Sequence, residues 1–271
     1  MASPSFTVEP VTPVIGAEVH GLDLARPLDA ETRAQLHDAW ITHLVLFFRD
    51  QALSKEALRD FAAGFGQLHV HPMGDVPDHP GIIEVRTDAK SKTYAGHLWH
   101  SDVSCDAEPP AGSILYLQQV PATGGDTLFA NMYAAYEALS APLRAFLDGL
   151  SALHSGRMSY RDYFGMAAEE MRDGVYPEAV HPVVATHPVS GRKCLFVNEN
   201  FTHHIEGLEP EESRAVLDLL YRHIAQPRFQ CRFRWRANSV AMWDNRCTQH
   251  LAMWDYYPET RAGYRATITA A

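Results

Sequence analysis

The chain has 271 residues, of which 46% are hydrophobic and 21% are charged, as is typical of a soluble globular protein. Its formal net charge of −10 argues against nucleic acid or an anionic membrane surface as the main partner, although a local cluster of arginines could bind a small anion. No apolar run approaches the roughly 18 residues of a membrane helix, and the N-terminus lacks the pattern of a secretory signal. The four scattered cysteines include no CxxC pair and indicate reduced thiols. We therefore expect a cytoplasmic protein.

The N-terminal part is predicted to mix short strands with two helices. Asp29 and Ser54 are residue types that cap helix N-termini, so one helix is expected to begin near Asp29 and the other at Ser54, stopping at Gly66. Between them, the continuous apolar run 44–48 predicts a strand that is buried on both faces.

The middle of the chain alternates predicted strands with predicted helices. Apolar runs indicate strands over 114–117 and 127–130. Residues 133–150 are expected to be helical with one break, and 188–191 form a turn between two apolar strands. Residues 210–224 predict an amphipathic helix.

The clearest strand pattern runs from Phe229 to Arg236, where apolar residues alternate with polar ones, three of them arginines. A period of two predicts a strand with one buried face and one solvated, arginine-bearing face. Further strands are expected over 239–243 and 264–269. Many short strands with few helices indicate a mainly β (α+β) fold, a double-stranded β-helix or jelly roll with helices packed outside. We expect residues 1–271 to form a single domain.

His100 and Asp102 form the first candidate metal site. Residues two apart on a strand point to the same face, so both side chains could reach one ion. A third ligand from a distant strand would complete the facial triad that is typical of non-haem Fe(II) oxygenases. The motif alone is weak, because 15 histidines and 33 acidic residues give about two chance matches to His-x-Asp/Glu. His204-Ile205-Glu206 is the second match.

Further motifs that accompany His100 in a fixed order distinguish it from this second match. They are Trp99–Asp102, Gly124–Thr127, Trp243–His250, and Arg261 and Arg265, eleven and fifteen residues after His250. This set resembles the taurine dioxygenase family (TauD/TfdA-like enzymes), which are Fe(II)- and 2-oxoglutarate-dependent dioxygenases. The likeness extends over nearly the whole chain.

The resemblance implies roles for individual residues. His100, Asp102 and His250 match the ligands of Fe(II), which acts with 2-oxoglutarate as co-substrate and with O2. Thr127 and Arg261 match the groups that bind the distal carboxylate of 2-oxoglutarate. A guanidinium group suits this task because its planar fork can donate two parallel hydrogen bonds to a carboxylate.

The resemblance also implies residues that bind the primary substrate. Arg265 matches the arginine that binds its anionic group, with His71 and the backbone N–H of Val103 as further donors. Phe201 matches an aromatic wall of the substrate pocket. The segment 204–206 lies outside the family's metal motif, and we expect it to be structural.

Two departures from the family pattern concern the substrate. In taurine-specific members a tyrosine closely follows the His-Pro pair and an asparagine shortly precedes the Trp-His pair, whereas this chain has Met73-Gly74 and Gly96-His97 there. The arginine for the anion remains, while contacts to the amine of taurine are lost. Gly74 and Gly96 are expected to leave room for a longer apolar or aromatic tail, with Phe201 and Met73 as neutral walls.

We therefore expect a small anionic substrate, a sulfonate or an alkyl sulfate, that is hydroxylated at the carbon next to the heteroatom. The products would be sulfite or sulfate, succinate and CO2. An aryloxyalkanoate or another carboxylic acid is the alternative within the same family. We also expect a homo-oligomer, either a dimer or a tetramer.

Two other classes of protein remain as alternatives. A zinc hydrolase could use two histidines and one aspartate with water in the open position, but it would need no arginines for a co-substrate. A non-enzymatic binding module on a jelly roll would need neither an intact triad nor both arginines. Formation of succinate from 2-oxoglutarate only with Fe(II) and oxygen would separate both from a dioxygenase.

Overall fold

The computed structural model describes residues 6–72, 75–77 and 79–269. Its strands are β1 Thr7–Pro10, β2 Ala17–His20, β3 Val45–Phe48, β4 Ile82–Thr87, β5 Gly112–Gln119, β6 Thr127–Asn131, β7 Ser151–Ser155, β8 Glu178–Pro182, β9 Val184–Thr186, β10 Lys193–Leu195, β11 Thr202–Ile205, β12 Gln230–Phe233, β13 Ser239–Asp244, β14 Thr248–Ala252 and β15 Arg261–Ile268. Its α-helices are α1 Ala30–His43, α2 Lys55–Ala63, α3 Met132–Glu137, α4 Ala141–Leu147 and α5 Pro210–Ile224. A π-helical turn spans Met158–Tyr163. Within the described ranges, no helix has the length and apolar character needed to cross a membrane.

The strands form two facing sheets. In the described part of the chain, the larger sheet has seven strands in the order β1-β2-β3-β13-β5-β15-β4, and a three-stranded sheet has the order β12-β6-β14. One hydrophobic core joins them, and its stacked rings of Phe47 and Phe233 lie 4.0 Å apart. Smaller sheets, β11-β7-β8 and β10-β9, extend the structure. The predicted double-stranded β-helix with flanking helices is confirmed.

Strand β3 lies at the centre of the packing and is buried on both faces, as predicted. Val45 and Phe47 point into the core between the sheets, whereas Leu46 and Phe48 point into a second core beneath the helices. This alternation follows from the two-residue period of a strand. All four side chains are inaccessible to solvent.

Helices α1 and α2 cover the outer face of the larger sheet. Their predicted starts are confirmed by the capping hydrogen bonds. The carboxylate of Asp29 accepts from the N–H of Thr32 at 2.7 Å, and the hydroxyl of Ser54 accepts from the N–H of Ala57 at 3.1 Å. Helix α2 ends at Ala63, slightly earlier than expected.

Two predicted strands have different limits in the structure. The ladder predicted for 229–236 is only the four residues of β12, although the alternation of buried and exposed side chains continues to Arg236. Strand β15 begins at Arg261, three residues earlier than predicted. Arg261 and Arg265 therefore lie on one strand and, being four residues apart, on the same face of its pairing with β4.

Candidate active site

Two histidines meet across an isolated backbone bridge. The N–H of His100 donates to the carbonyl of His250 at 3.2 Å, and the N–H of His250 donates to the carbonyl of His100 at 2.8 Å. Their rings lie 4.1 Å apart. The Oδ1 atom of Asp102 is 3.6 Å from Nε2 of His100 and 4.0 Å from Nε2 of His250. The three buried side chains thus gather three ligand atoms within 4.8 Å of one another.

The backbone brings His100 and Asp102 together in a different way from the one predicted. His100 lies at an isolated bridge, and the following residues 102–105 form a turn, so His100 and Asp102 do not share a strand face. The turn includes Val103 at φ +48°, an unfavourable backbone conformation for a β-branched residue. Such strain is concentrated at functional sites, where the surrounding structure enforces it.

The hydrogen bonds and charges around the three side chains suit a divalent cation. His100 donates from Nδ1 to the carbonyl of Leu98 at 2.8 Å, which leaves Nε2 with a free lone pair. Burial and the neighbouring His100 hold the pKa of His250 well below its ordinary value, so the imidazole is neutral. Burial alone would raise the pKa of Asp102, but Arg265 and the two histidines hold it well below its ordinary value. Two imidazole nitrogens and one carboxylate are a donor set that fits Fe(II).

A buried arginine, Arg261, lines the same cavity as the two histidines. Arg261 is only 6% exposed, and it has no carboxylate partner among the described residues. Its Nε donates to the carbonyl of Gly125 at 3.1 Å and its Nη2 to the hydroxyl of Thr127 at 3.3 Å. Burial lowers the pKa of Arg261 to about 10, so the group is still charged at pH 7. Arg261, Thr127, His100 and His250 line one cavity.

Trp235 is a component of this site that sequence reasoning did not identify. Its indole N–H donates to the hydroxyl of Thr127 at 2.9 Å, and the guanidinium of Arg261 lies 5.5 Å from its ring. Since the oxygen of Thr127 accepts from both neighbours, its own hydrogen is available for a ligand. The alternation of 229–236 indicated a buried Trp235 but gave no sign of its donor role.

The predicted substrate-binding residues surround the other side of the triad. Arg265 donates from Nη1 to Oδ1 of Asp102 at 2.7 Å, while its buried Nε has no hydrogen-bond partner among the described residues. Burial, followed by the charge of Arg265, lowers the pKa of His71 to about 3, so His71 is neutral. Val103 and Phe201 pack together in a small apolar cluster, and the ring of Phe201 lies 6.4 Å from that of His100.

Two glycines were expected to leave room for a substrate tail. Met73 and Gly74 lie outside the described residues. Gly96 has φ +85°, and a Cβ there would lie 3.2 Å from Cβ of Ala252 and 3.3 Å from Cε1 of His100. Gly96 therefore lines the cavity and lets the backbone approach a candidate metal ligand closely, where a side chain would crowd His100 and Ala252.

A second group of metal-binding residue types, His187, Asp244 and Cys247, is structural. Asp244 accepts from Nε2 of His187 at 3.0 Å and from Arg246 at 2.6 Å. Nδ1 of His187 accepts from the N–H groups that follow it. Burial, followed by the charge of Asp244, raises the pKa of the Cys247 thiol far above its ordinary value, so no thiolate is offered. The cluster fixes the turn that leads into β14 and His250.

The side chains of His204 and Glu206 pair with each other and do not belong to the triad. His204 and Glu206 form a pair at 3.2 Å with side chains 40% and 48% exposed. Exposed pairs contribute little to stability. We therefore expect Glu206→Ala to keep turnover within a few-fold of wild type, measured as succinate formation. If this variant lost activity while Asp102 could be replaced, the metal site would lie at His204 and Glu206, and the assignment to His100 and Asp102 would be wrong.

A double-stranded β-helix that brings two histidines, a carboxylate and an unpaired buried arginine to one cavity defines an Fe(II)- and 2-oxoglutarate-dependent dioxygenase. Comparison with known proteins agrees. The model of the family described as "Taurine catabolism dioxygenase TauD, TfdA family" matches residues 7–267, and the chain belongs to this family.

Individual relatives match over almost their full lengths. An alpha-ketoglutarate-dependent sulfate ester dioxygenase from Pseudomonas putida is 36% identical, over 96% of this chain and 88% of the relative. An (S)-phenoxypropionate/alpha-ketoglutarate-dioxygenase from Sphingobium herbicidovorans is 34% identical, over 93% of this chain and 91% of the relative. The crystal structure of a taurine dioxygenase from Burkholderia xenovorans superimposes with a TM-score of 0.85 at 39% identity, over 99% of this chain and 90% of that one.

Proposed function

We propose that His100, Asp102 and His250 hold Fe(II), and that Arg261 and Thr127 bind the distal carboxylate of 2-oxoglutarate. The burial of Arg261 without an ion pair in contact among the described residues supports this assignment most strongly, since the nearby Asp126 is paired with Arg232 instead. An unpaired buried charge is costly, so the fold gains from a ligand carboxylate that pairs with it. Thr127 has a free hydroxyl hydrogen to add a second type of donor.

When bound, the iron supplies the activation of O2 that is coupled to the conversion of 2-oxoglutarate to succinate and CO2. The protein positions the reactants and excludes water from them. Arg261 fixes the far end of the co-substrate, and the burial of the triad excludes bulk water from the reacting atoms. Arg265, in contact with Asp102, places the anionic end of the substrate beside the metal ligands.

The primary substrate in this proposal is a small organic anion, a sulfonate or a sulfate ester. Arg265 keeps an unpartnered Nε donor, and the N–H of Val103 donates to no atom of the described residues. Together with neutral His71, these groups would bind the oxygens of an anionic head group. Phe201 would lie against the carbon chain. Hydroxylation next to the heteroatom gives a product that releases sulfite or sulfate.

An aryloxyalkanoate is the second candidate, because the same groups can bind a carboxylate. Two observations favour it: the similarity to the phenoxypropionate dioxygenase and the aromatic side chains that line the apolar cluster, Tyr160, Phe201 and Phe164. Aromatic rings pack well against an aryl group in offset or edge-to-face geometry.

A substrate panel tests the proposal. We expect alkyl sulfonates, alkyl sulfates or aryloxyacetates to be turned over better than taurine, because the buried cluster beside Val103 is built from apolar and aromatic side chains. The gain in kcat/KM should be modest, since a buried methylene contributes about 0.8 kcal/mol, roughly fourfold. Loss of the head-group charge should reduce kcat/KM much further, because Arg265 would be desolvated without a partner. Succinate formation provides the measurement.

Taurine as the best substrate of that panel would contradict the proposed preference and leave the metal site intact. No succinate with any substrate, even with Fe(II), 2-oxoglutarate and oxygen present, would contradict the assigned roles themselves.

We also propose that the chain acts as one domain over 1–271, as a cytoplasmic dimer or tetramer, without nucleic acid or membrane as a partner.

A further inference from the structure

The two oxygens of the Asp102 carboxylate have different surroundings. Oδ1 faces the histidines and accepts from Arg265 at 2.7 Å. Oδ2 points the other way and accepts from the hydroxyl of Ser113 at 2.7 Å. Asp102 and Ser113 are both almost fully buried. A single hydroxyl therefore occupies the oxygen that does not face the candidate metal position.

Ser113 is itself fixed by a chain of directed hydrogen bonds. The indole of Trp243 can only donate, and it donates to Oδ1 of Asn245 at 2.9 Å. The amide nitrogen of Asn245 must then face Ser113, and it donates to the hydroxyl oxygen at 2.9 Å. Because this oxygen accepts from Asn245, the hydrogen of Ser113 is committed to Asp102. The indole N–H of Trp243 thus determines the donor and the acceptor of each hydrogen bond in this series.

The backbone holds the same groups in register. Ser113 lies on β5 directly opposite Trp243 on β13 and Thr267 on β15. The N–H of Asp102 also points at Oδ1 of Asn245, at 3.4 Å. All three side chains of the network, Ser113, Trp243 and Asn245, are at most 2% exposed, so water does not compete for these bonds.

We infer that Ser113 is a positioning residue that restricts Asp102 to binding the metal through one oxygen, Oδ1. A carboxylate without this bond could rotate and present both oxygens to the ion. It would then fill a position that a facial triad must leave open for its co-substrate and for oxygen. The hydrogen bond also removes the cost of orienting the ligand when the metal binds. This inference rests on the triad proposed above and adds a residue to it.

The variant Ser113→Ala tests this role by its affinity for Mn(II), measured by electron paramagnetic resonance without co-substrate. We expect a dissociation constant about 10- to 100-fold higher than that of wild type, the usual effect of removing an outer partner of a metal ligand. With metal in excess, the KM for 2-oxoglutarate should also rise, because a carboxylate that binds through both oxygens occupies a position that the co-substrate needs. The matched control is Ser239→Ala, another fully buried serine, which contacts Arg49 and Arg236 instead.

The outcomes separate this inference from the proposed function. An Mn(II) affinity of Ser113→Ala equal to that of wild type and Ser239→Ala would overturn the role of Ser113 while leaving the triad in place. A wild-type protein that binds no Mn(II), or binds it equally well after His250→Ala, would instead overturn the triad. If Ser113→Ala does not fold, Ser113→Cys keeps a side chain of similar shape with a much weaker donor, and it must also raise the dissociation constant for Mn(II).

Discussion

Replacing His250 with alanine is expected to abolish metal binding and turnover together. The imidazole is buried, neutral and opposite His100, so its removal takes away one of the three proposed ligands and leaves no unpaired charge behind. A facial triad that lacks one ligand binds Fe(II) poorly. Succinate formation should fall to the level of the protein-free reaction, and equilibrium dialysis with Mn(II) should show no site of wild-type affinity.

His250→Ala is a cleaner test than a substitution of Asp102. Asp102 is the counter-charge of Arg265, whose side chain is only 11% exposed. Breaking such a buried pair typically costs about 3–5 kcal/mol, so Asp102→Ala would combine loss of metal with loss of stability. The same variants should therefore be followed by thermal unfolding without metal.

The control for His250→Ala is His204→Ala, which removes the exposed histidine of the other His-x-acid motif. We expect this variant to bind metal and turn over substrate like wild type. Wild-type Mn(II) affinity in His250→Ala would show that His250 is not a ligand, whatever the change in turnover.

Much of the fold could be predicted from short-range patterns. The apolar run 44–48 and the capping residues Asp29 and Ser54 each determine a local structure, and the structure follows them. The limits of β15 were missed at its N-terminal end, where the pattern is interrupted by Arg261. An arginine at a buried strand position resembles the end of a strand in the sequence, because its burial depends on hydrogen bonds to distant residues, here Gly125 and Thr127, and not on hydrophobicity.

The candidate site could be predicted only where residues matched motifs. His100 and Asp102 were identified together, but for the wrong local reason, since a turn and not a strand face brings the carboxylate to the histidines. Ser113 and Asn245 were missed because their contact joins positions 132 residues apart. Serine and asparagine are common surface residues, and nothing in a single sequence reveals that two of them share a buried hydrogen bond.

Replacing Arg261 with alanine is expected to raise the apparent KM for 2-oxoglutarate by roughly a hundredfold to ten-thousandfold. The estimate assumes two lost hydrogen bonds to a carboxylate, each contributing about 1.5–3 kcal/mol. Because Arg261 pairs with no carboxylate among the described residues, its removal should lower the melting temperature of the ligand-free protein little. Stabilisation of the protein by added 2-oxoglutarate, measured as the rise in melting temperature, should be lost.

Graded substitutions strengthen the test of Arg261. Arg261→Lys keeps the charge but loses the planar fork, so its KM should fall between wild type and Arg261→Ala. Thr127→Val removes one hydroxyl donor and should raise the KM about fivefold, the equivalent of roughly 1 kcal/mol. Arg265→Lys should instead raise the KM of the primary substrate and leave that of 2-oxoglutarate near wild type.

The roles of the two arginines depend on which KM responds to which substitution. Arg261 lies beside Thr127 and away from the Asp102 carboxylate, whereas Arg265 contacts that carboxylate directly. A change in Arg261 that weakened the primary substrate as much as 2-oxoglutarate would contradict the separation of the two sites. A change in Arg261 that raised only the KM of the primary substrate would reverse the assignment, because the buried, unpaired guanidinium would then bind the substrate head group.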